Sequence, residues 1–192
     1  MPAGDPALAR ARLLELLKTL SWQPGEFILA SGRKSDFYID CRQTALHAEG
    51  ASLIGELVFE HVRSLRLQGL RVDGVGGLPL GADPIAVATA VYSFAQGEPV
   101  HAFVIRKEPK RHGTQVWIEG TRNLPAQSTV LVVEDVVTSG ASTLIALERA
   151  RDSGLVPTAI LSLVDRDEGG RDSLAKTGLP YTSLFARRDF LP

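Results

Sequence analysis

The sequence predicts an α/β fold: an open, twisted, mainly parallel sheet flanked by helices, preceded by a small N-terminal hood made of a helix and a hairpin. Three observations lead there. Short apolar runs alternate with helical stretches through the middle of the chain, the order that builds a parallel sheet through right-handed crossovers. The run Val130 to Val133 is apolar on both faces, as a central strand covered from each side requires. A length of 192 residues with 44% hydrophobic content can bury one sizeable core. A single domain is expected, with residues 1–45 as the hood and 46–192 as the core.

Taken in order, Asp5 and Pro6 make an N-cap and first helical residue, and Leu13, Leu14, Leu17 and Leu20 recur at helical spacing, so the first helix should reach Leu20. Beyond Pro24 and Gly25, two short strands, Glu26 to Leu29 and Asp36 to Ile39, flank a turn-rich segment and form a hairpin. From Ala51 to Leu67, Leu53, Ile54, Leu57, Val58, His61, Val62 and Leu65 share one stripe of a 3.6-residue period, the mark of a core-facing helix. On that stripe His61 reads as a packing residue. Strands then follow at Arg71 to Gly76, His101 to Ile105, Thr129 to Val133 and Thr158 to Val164, with helices at Pro84 to Ala95 and Ser142 to Ser153. Ligands of such sheets sit beyond the carboxyl ends of the strands, so chemistry is sought there.

The overall charge balance narrows the classes of partner. With 22% charged residues and a formal net charge of −1, the chain has no general reason to seek nucleic acid or an anionic membrane, and any anion site must be local. Cys41 is the one cysteine, which excludes an internal disulfide and fits a reducing cytoplasm; it reads as a small buried side chain. No apolar run approaches the ~20 residues that span a bilayer, and no signal peptide is evident.

The stretch richest in chemistry runs from Val130 to Thr143. A buried strand ends in two adjacent carboxylates, Glu134 and Asp135, followed by a turn of small hydroxyl residues and glycine that opens a helix. Backbone N–H groups at that opening, with the hydroxyls of Thr138, Ser139 and Ser142, form a cradle for a phosphate. The acids are placed to accept hydrogen bonds from sugar hydroxyls or to hold a metal through water, and the combination points to a ribose phosphate. A P-loop is excluded by the missing Walker lysine. A second run, Arg106 to Gly113, carries five basic side chains directly after a strand, where they can neutralise a departing anion.

The first stretch resembles the phosphoribosyl pyrophosphate (PRPP) signature of type I phosphoribosyltransferases, and the resemblance implies that fold. By it, Glu134 and Asp135 hold the ribose hydroxyls while Val136, Val137, Thr138, Ser139, Gly140, Ala141 and Ser142 surround the 5-phosphate. Arg106-Lys107-Glu108-Pro109-Lys110-Arg111-His112-Gly113 is similar to the catalytic loop of the orotate phosphoribosyltransferases, which implies that Arg106, Lys107, Lys110 and His112 contact PRPP. In that family part of the loop serves the neighbouring subunit, so a homodimer with shared active sites is expected. Two further segments extend the likeness. Ser31-Gly32-Arg33-Lys34-Ser35, with Phe37 and Tyr38 after it, looks like the segment whose aromatics lie near orotate. Val164-Asp165-Arg166-Asp167-Glu168-Gly169-Gly170 looks like the one whose arginine, here Arg166, binds orotate together with Thr138. The glycine-rich Val75 to Pro84 stands where the family has its pyrophosphate loop.

The expected reaction is therefore transfer of ribose 5-phosphate from PRPP to orotate, giving orotidine 5'-phosphate and pyrophosphate. The resemblance implies an oxocarbenium-like sugar, no nucleophilic side chain, and Mg²⁺ carried mainly by PRPP and water rather than by a protein ligand set. Lys110, His112, Glu134 and Asp135 are the expected catalytic groups. Ala30 and Leu80 depart from one branch of the family, which has lysines there. A purine phosphoribosyltransferase and a regulatory protein on the same fold are the rival readings.

Overall fold

The computed structural model describes residues 5–28, 34–108 and 117–191. Helix α1 (Pro6–Leu16) begins as expected, with the Asp5 carboxylate accepting from the Ala7 N–H at 2.9 Å. It does not continue to Leu20 as an α-helix. Leu17–Ser21 widen into a π-turn, and the buried stripe is Leu13, Leu16 and Leu17, while Leu20 is exposed. Strands β1 (Trp22–Ile28) and β2 (Lys34–Ile39) pair antiparallel as a separate two-stranded sheet, with a register shift between Pro24 and Phe27. Strand β1 starts earlier than its apolar pattern indicates because pairing begins at Trp22↔Ile39, and β2 starts earlier because pairing continues to Ile28↔Lys34; Leu29 lies outside the described residues.

Helix α2 (Cys41–Ala45), too short to leave a periodic signal, leads into α3 (Ala48–Leu67). Of the stripe expected on α3, Ile54, Leu57, Val58, Val62 and Leu65 are buried and Leu53 is partly so, while Phe59, outside that stripe, is fully buried as well. His61 is half-buried, and burial depresses its pKa. Next come β3 (Gly74–Gly77), α4 (Ala82–Ala95), β4 (His101–Ile105), β5 (Ile118–Glu119), β6 (Thr129–Val137), α5 (Ala141–Asp152), β7 (Val156–Asp165), α6 (Gly170–Ala175) and β8 (Tyr181–Ala186). The six-stranded sheet has the order β5-β4-β3-β6-β7-β8 and is parallel except for β5, a two-residue edge strand antiparallel to β4.

The sheet separates two cores. Leu131, Val133, Leu161 and Leu163 face α1, the hairpin, α3 and α4, whereas Val130, Val132 and Ile160 face α5. The hood packs on α3 and is also fastened to the C-terminal end of the chain. Trp22 stacks on Phe37 at 4.3 Å and on Phe190 at 4.9 Å, and Arg187 pairs with Asp36 at 2.6 Å. Strand β8 carries half-buried polar residues that mask its period, so it was not visible as a strand.

Candidate active site

The carboxyl ends of β3, β4, β6 and β7 and the end of β2 surround a cleft of about 640 Å³. Its lining includes Tyr38, Arg42, Leu80, Lys107, Glu134, Asp135, Thr138, Ser139, Ser142 and Arg166. Sequence-distant residues thus meet at the place where open α/β sheets bind ligands.

The acid pair stands inside β6, not after it. The strand runs on to Val137 because its ladder with β7 continues to Val137↔Asp165. Successive side chains of a strand point to opposite faces, and the two acids accordingly meet different surroundings. Glu134 leans to the α5 face, where its Oε2 accepts from Ser142 Oγ at 2.7 Å and lies 3.5 Å from Thr143 Oγ1. Asp135 takes the other side, its Oδ1 accepting from the Val136 N–H at 2.9 Å. Desolvation, with the charge of Asp135 adding to it and the Ser142 hydrogen bond opposing it, pushes the Glu134 carboxyl up to about 7. The Asp135 pKa is raised chiefly by desolvation as well, with its own hydrogen bonds and nearby Arg42 pulling back. Two adjacent acids held at this cost in burial are poised to receive positive charge.

Gly81 leaves room beside them: a Cβ there would lie 2.5 Å from Asp135 Oδ1, so a larger residue would have to displace the carboxylate. The preceding residue, Leu80, adopts φ +75° with its side chain 60% exposed at the cleft. A left-handed leucine is strained by about 1–2 kcal/mol, and its N–H donates to Asp83 Oδ2 at 3.2 Å. After β6, Gly140 takes φ +83° as the N-cap of α5, which turns the first N–H groups of that helix toward the loop.

The expected site residues divide by position. Val136, Thr138, Ser139 and Ser142 line the cleft with the acids, while Val137 is buried in the α5-side core beneath Gly170. Ser142 donates its hydroxyl to Glu134 here, so it braces the acid as well as the loop. Gly140 and Ala141 shape the helix start. Lys107 lines the cleft, whereas the Arg106 guanidinium pairs with Glu119 at 2.9 Å. Lys110 and His112 lie outside the described residues, as do Ala30 to Arg33.

Arg166 is 4% exposed, not the surface ion-pair partner its residue type would give in isolation. Its Nε donates to Glu168 at 2.7 Å and its Nη2 to Ser35 at 3.0 Å, and its guanidinium lies 4.1 Å above the Phe37 ring. Phe37 in turn is 2% exposed, with Trp22 stacked on it. It supports Arg166 from within the core, and Tyr38, 38% exposed, is the aromatic that reaches the cleft. Sequence reading missed Asp40 and Arg42, which line the cleft as an ion pair at 2.7 Å; the only hint was their place directly after a strand.

A parallel sheet with strand-borne acids, a hydroxyl-glycine loop opening α5 and a separate hood defines the type I phosphoribosyltransferase class. Solved structures agree, down to an adenine phosphoribosyltransferase of Leishmania donovani that shares the fold at 16% identity with a TM-score of 0.65. No family model matches the chain. Individual relatives do: it is 43% identical over 186 residues to the orotate phosphoribosyltransferase of Sorangium cellulosum, covering 97% of this chain and 95% of that one. The Bradyrhizobium diazoefficiens enzyme is 43% identical over 188 residues, covering 95% and 96%. The Mycobacterium tuberculosis orotate phosphoribosyltransferase in complex with PRPP superposes with a TM-score of 0.76 at 36% identity, covering 95% of this chain and 98% of that one. The chain belongs to the orotate phosphoribosyltransferase family.

Proposed function

We infer that the protein transfers the ribose 5-phosphate group of PRPP to orotate, giving orotidine 5'-phosphate and pyrophosphate for pyrimidine nucleotide synthesis. The observation that carries this reading is the full-length likeness to orotate phosphoribosyltransferases, joined to a cleft that sets paired acids, a phosphate cradle and a buried arginine around one volume. The 5-phosphate is held by Thr138, Ser139 and the backbone opening α5, where N–H groups and the helix dipole favour an anion. One ribose length away, Glu134 and Asp135 face the sugar hydroxyls and the positive charge that develops at C1 as pyrophosphate leaves. Electrostatic stabilisation of this kind is strongest in a desolvated site. Lys107, with Lys110 and His112, meets the departing diphosphate. Arg166, oriented by Glu168, Ser35 and Phe37, meets the polar edge of orotate, with Thr138 and Tyr38 nearby.

Mg²⁺ fits these residues. Two desolvated carboxylates with raised pKa values would be relieved by a divalent cation held through water, and the metal would supply charge to the diphosphate when bound. We propose the cytoplasm as the location of the reaction; a single cysteine, which needs no oxidising compartment, is compatible with it. No helix among the described residues is long and apolar enough to cross a membrane.

The test is the loss of orotate absorbance on incubation with PRPP and Mg²⁺. Consumption of orotate is expected; phosphoribosylation of a purine base instead, or PRPP binding without turnover, would assign the fold to a rival activity. We place the active unit as a homodimer with shared sites, supported by the family and by Val87, Val91 and Phe94, an apolar stripe exposed along α4. Mixing inactive Lys110→Ala and Asp135→Asn proteins under subunit exchange should restore activity, since one site of the mixed dimer carries neither defect.

A further inference from the structure

Arg149 lies in the last turns of α5, where a basic side chain ordinarily serves the carbonyls of its own helix. It does something else. Its Nη1 donates to the carbonyl of Arg106 at 2.7 Å, and its guanidinium carbon sits 4.4 Å over the ring of Trp117. Arg106 is the residue that opens the cationic run, and Trp117 is the first described residue after it. These two are joined to each other by one backbone hydrogen bond, from the Arg106 N–H to the Trp117 carbonyl at 2.8 Å. The ladder behind that bond is only Val104↔Glu119 and Ile105↔Ile118, at the edge of the sheet. So short an edge pairing is marginal by itself.

Arg149 therefore braces that edge from another layer of the molecule. The same helix, seven residues earlier, offers Ser142 to Glu134; at 1.5 Å per residue the two attachment points are roughly 10 Å apart along a rigid rod. One end of α5 holds an acid of the cleft, and the other holds the stem from which Lys107 enters that cleft.

We propose that Arg149 is a positioning residue for phosphoribosyl transfer, fixing from α5 the Arg106–Trp117 stem so that Lys107 is presented to the pyrophosphate side of the substrate. This rests on the transfer reaction inferred above. A planar guanidinium is needed because it must stack on an indole and donate in its own plane at once, which an ammonium does not do.

The experiment compares Arg149→Met, Arg149→Lys and Trp117→Leu with the unaltered protein in orotate-consumption kinetics, alongside thermal melting. Loss of a charge-assisted hydrogen bond and its stack should lower kcat/KM for PRPP about tenfold in Arg149→Met, with the KM for orotate unchanged and the protein still folded. Arg149→Lys, which keeps a donor, should fall between. Equal changes for both substrates, or no change in folded protein, would overturn the inference and leave Arg149 a packing residue. Should Arg149→Met fail to fold, Trp117→Leu, which leaves α5 intact, must give the same PRPP-selective loss, and its absence sinks the proposal. An unaltered protein that consumes no orotate would instead defeat the assigned reaction, so the two failures are distinguishable.

Discussion

The two sides of the cleft are built in different ways. On the phosphate side, Glu134 to Ser142 are nine consecutive residues, and strand, loop and helix start follow one another with their mutual contacts nearly all local. On the base side, Ser35, Phe37, Trp22, Arg166, Arg187 and Phe190 come from opposite ends of the chain. The first side is rigid because a central strand buried on both faces carries it. The second depends on a two-stranded hood that reaches the core through the buried side chains of Phe37 and Ile39, the stack of Trp22 on Phe190 and a few guanidinium contacts. Damage to the phosphate side should accordingly cost chemistry, whereas damage to the base side should cost stability and orotate recognition together.

The largest effect that would break this comparison is on stability. Phe37→Ala removes a ring packed between Trp22 and Arg166, and should lower the unfolding free energy by about 3–5 kcal/mol, the usual cost of emptying a buried aromatic site. Urea unfolding checks this, and PRPP affinity of the folded fraction should be preserved. If PRPP binding falls in step with stability, the two sides are not separable.

Asp135→Asn addresses the other side. Removing a charge that faces the developing sugar cation should reduce kcat by roughly 10²–10³, about 3–4 kcal/mol, while the 5-phosphate still binds. Steady-state kinetics with a ribose 5-phosphate competition assay would show both. Near-normal turnover would remove the acid from the reaction.

Arg166→Lys keeps the charge but loses the planar group that Glu168, Ser35 and Phe37 hold in place. The KM for orotate should rise about tenfold, with the KM for PRPP little changed, as expected for one impaired charge-assisted hydrogen bond. A selective rise for PRPP instead would move Arg166 out of the base site.

The smallest effect is a pH dependence. Burial lifts the Glu134 carboxyl from an ordinary 4.5 to about 7, so the folded protein binds a proton more tightly than the unfolded chain does. Its contribution to stability is therefore fullest below about pH 4.5, declines as pH rises through 7, and is flat above that. Glu134→Gln keeps an acceptor for Ser142 without the charge, and its melting temperature should gain on that of the unaltered protein as pH rises from about 4.5 to about 7, with no further gain above that. A gap independent of pH would mean that Glu134 is ionised throughout.

Much of the phosphate side could be read from residues alone. Val130 to Val133 announce a central strand, and Glu134, Asp135, Thr138 and Ser139 announce its chemistry, because a strand-loop-helix turn is encoded by neighbours in sequence. Even there the strand's end was misjudged, since the ladder with β7 carries it past both acids to Val137. The alternation of strands and helices likewise determined the parallel sheet, because periodicity reports which faces are buried. Other features had no local signal. That Phe37 turns inward and Tyr38 toward the cleft follows from period two only once Trp22 and Phe190 decide which face of the hairpin is covered. Arg42 reaches the cleft through the turn after β2, and Arg149 braces a stem 43 residues earlier in the chain. Single short-range contacts between residues far apart in sequence leave no period and no spacing to read; only the folded chain, by closing those loops, decides which arginine meets which carbonyl or ring.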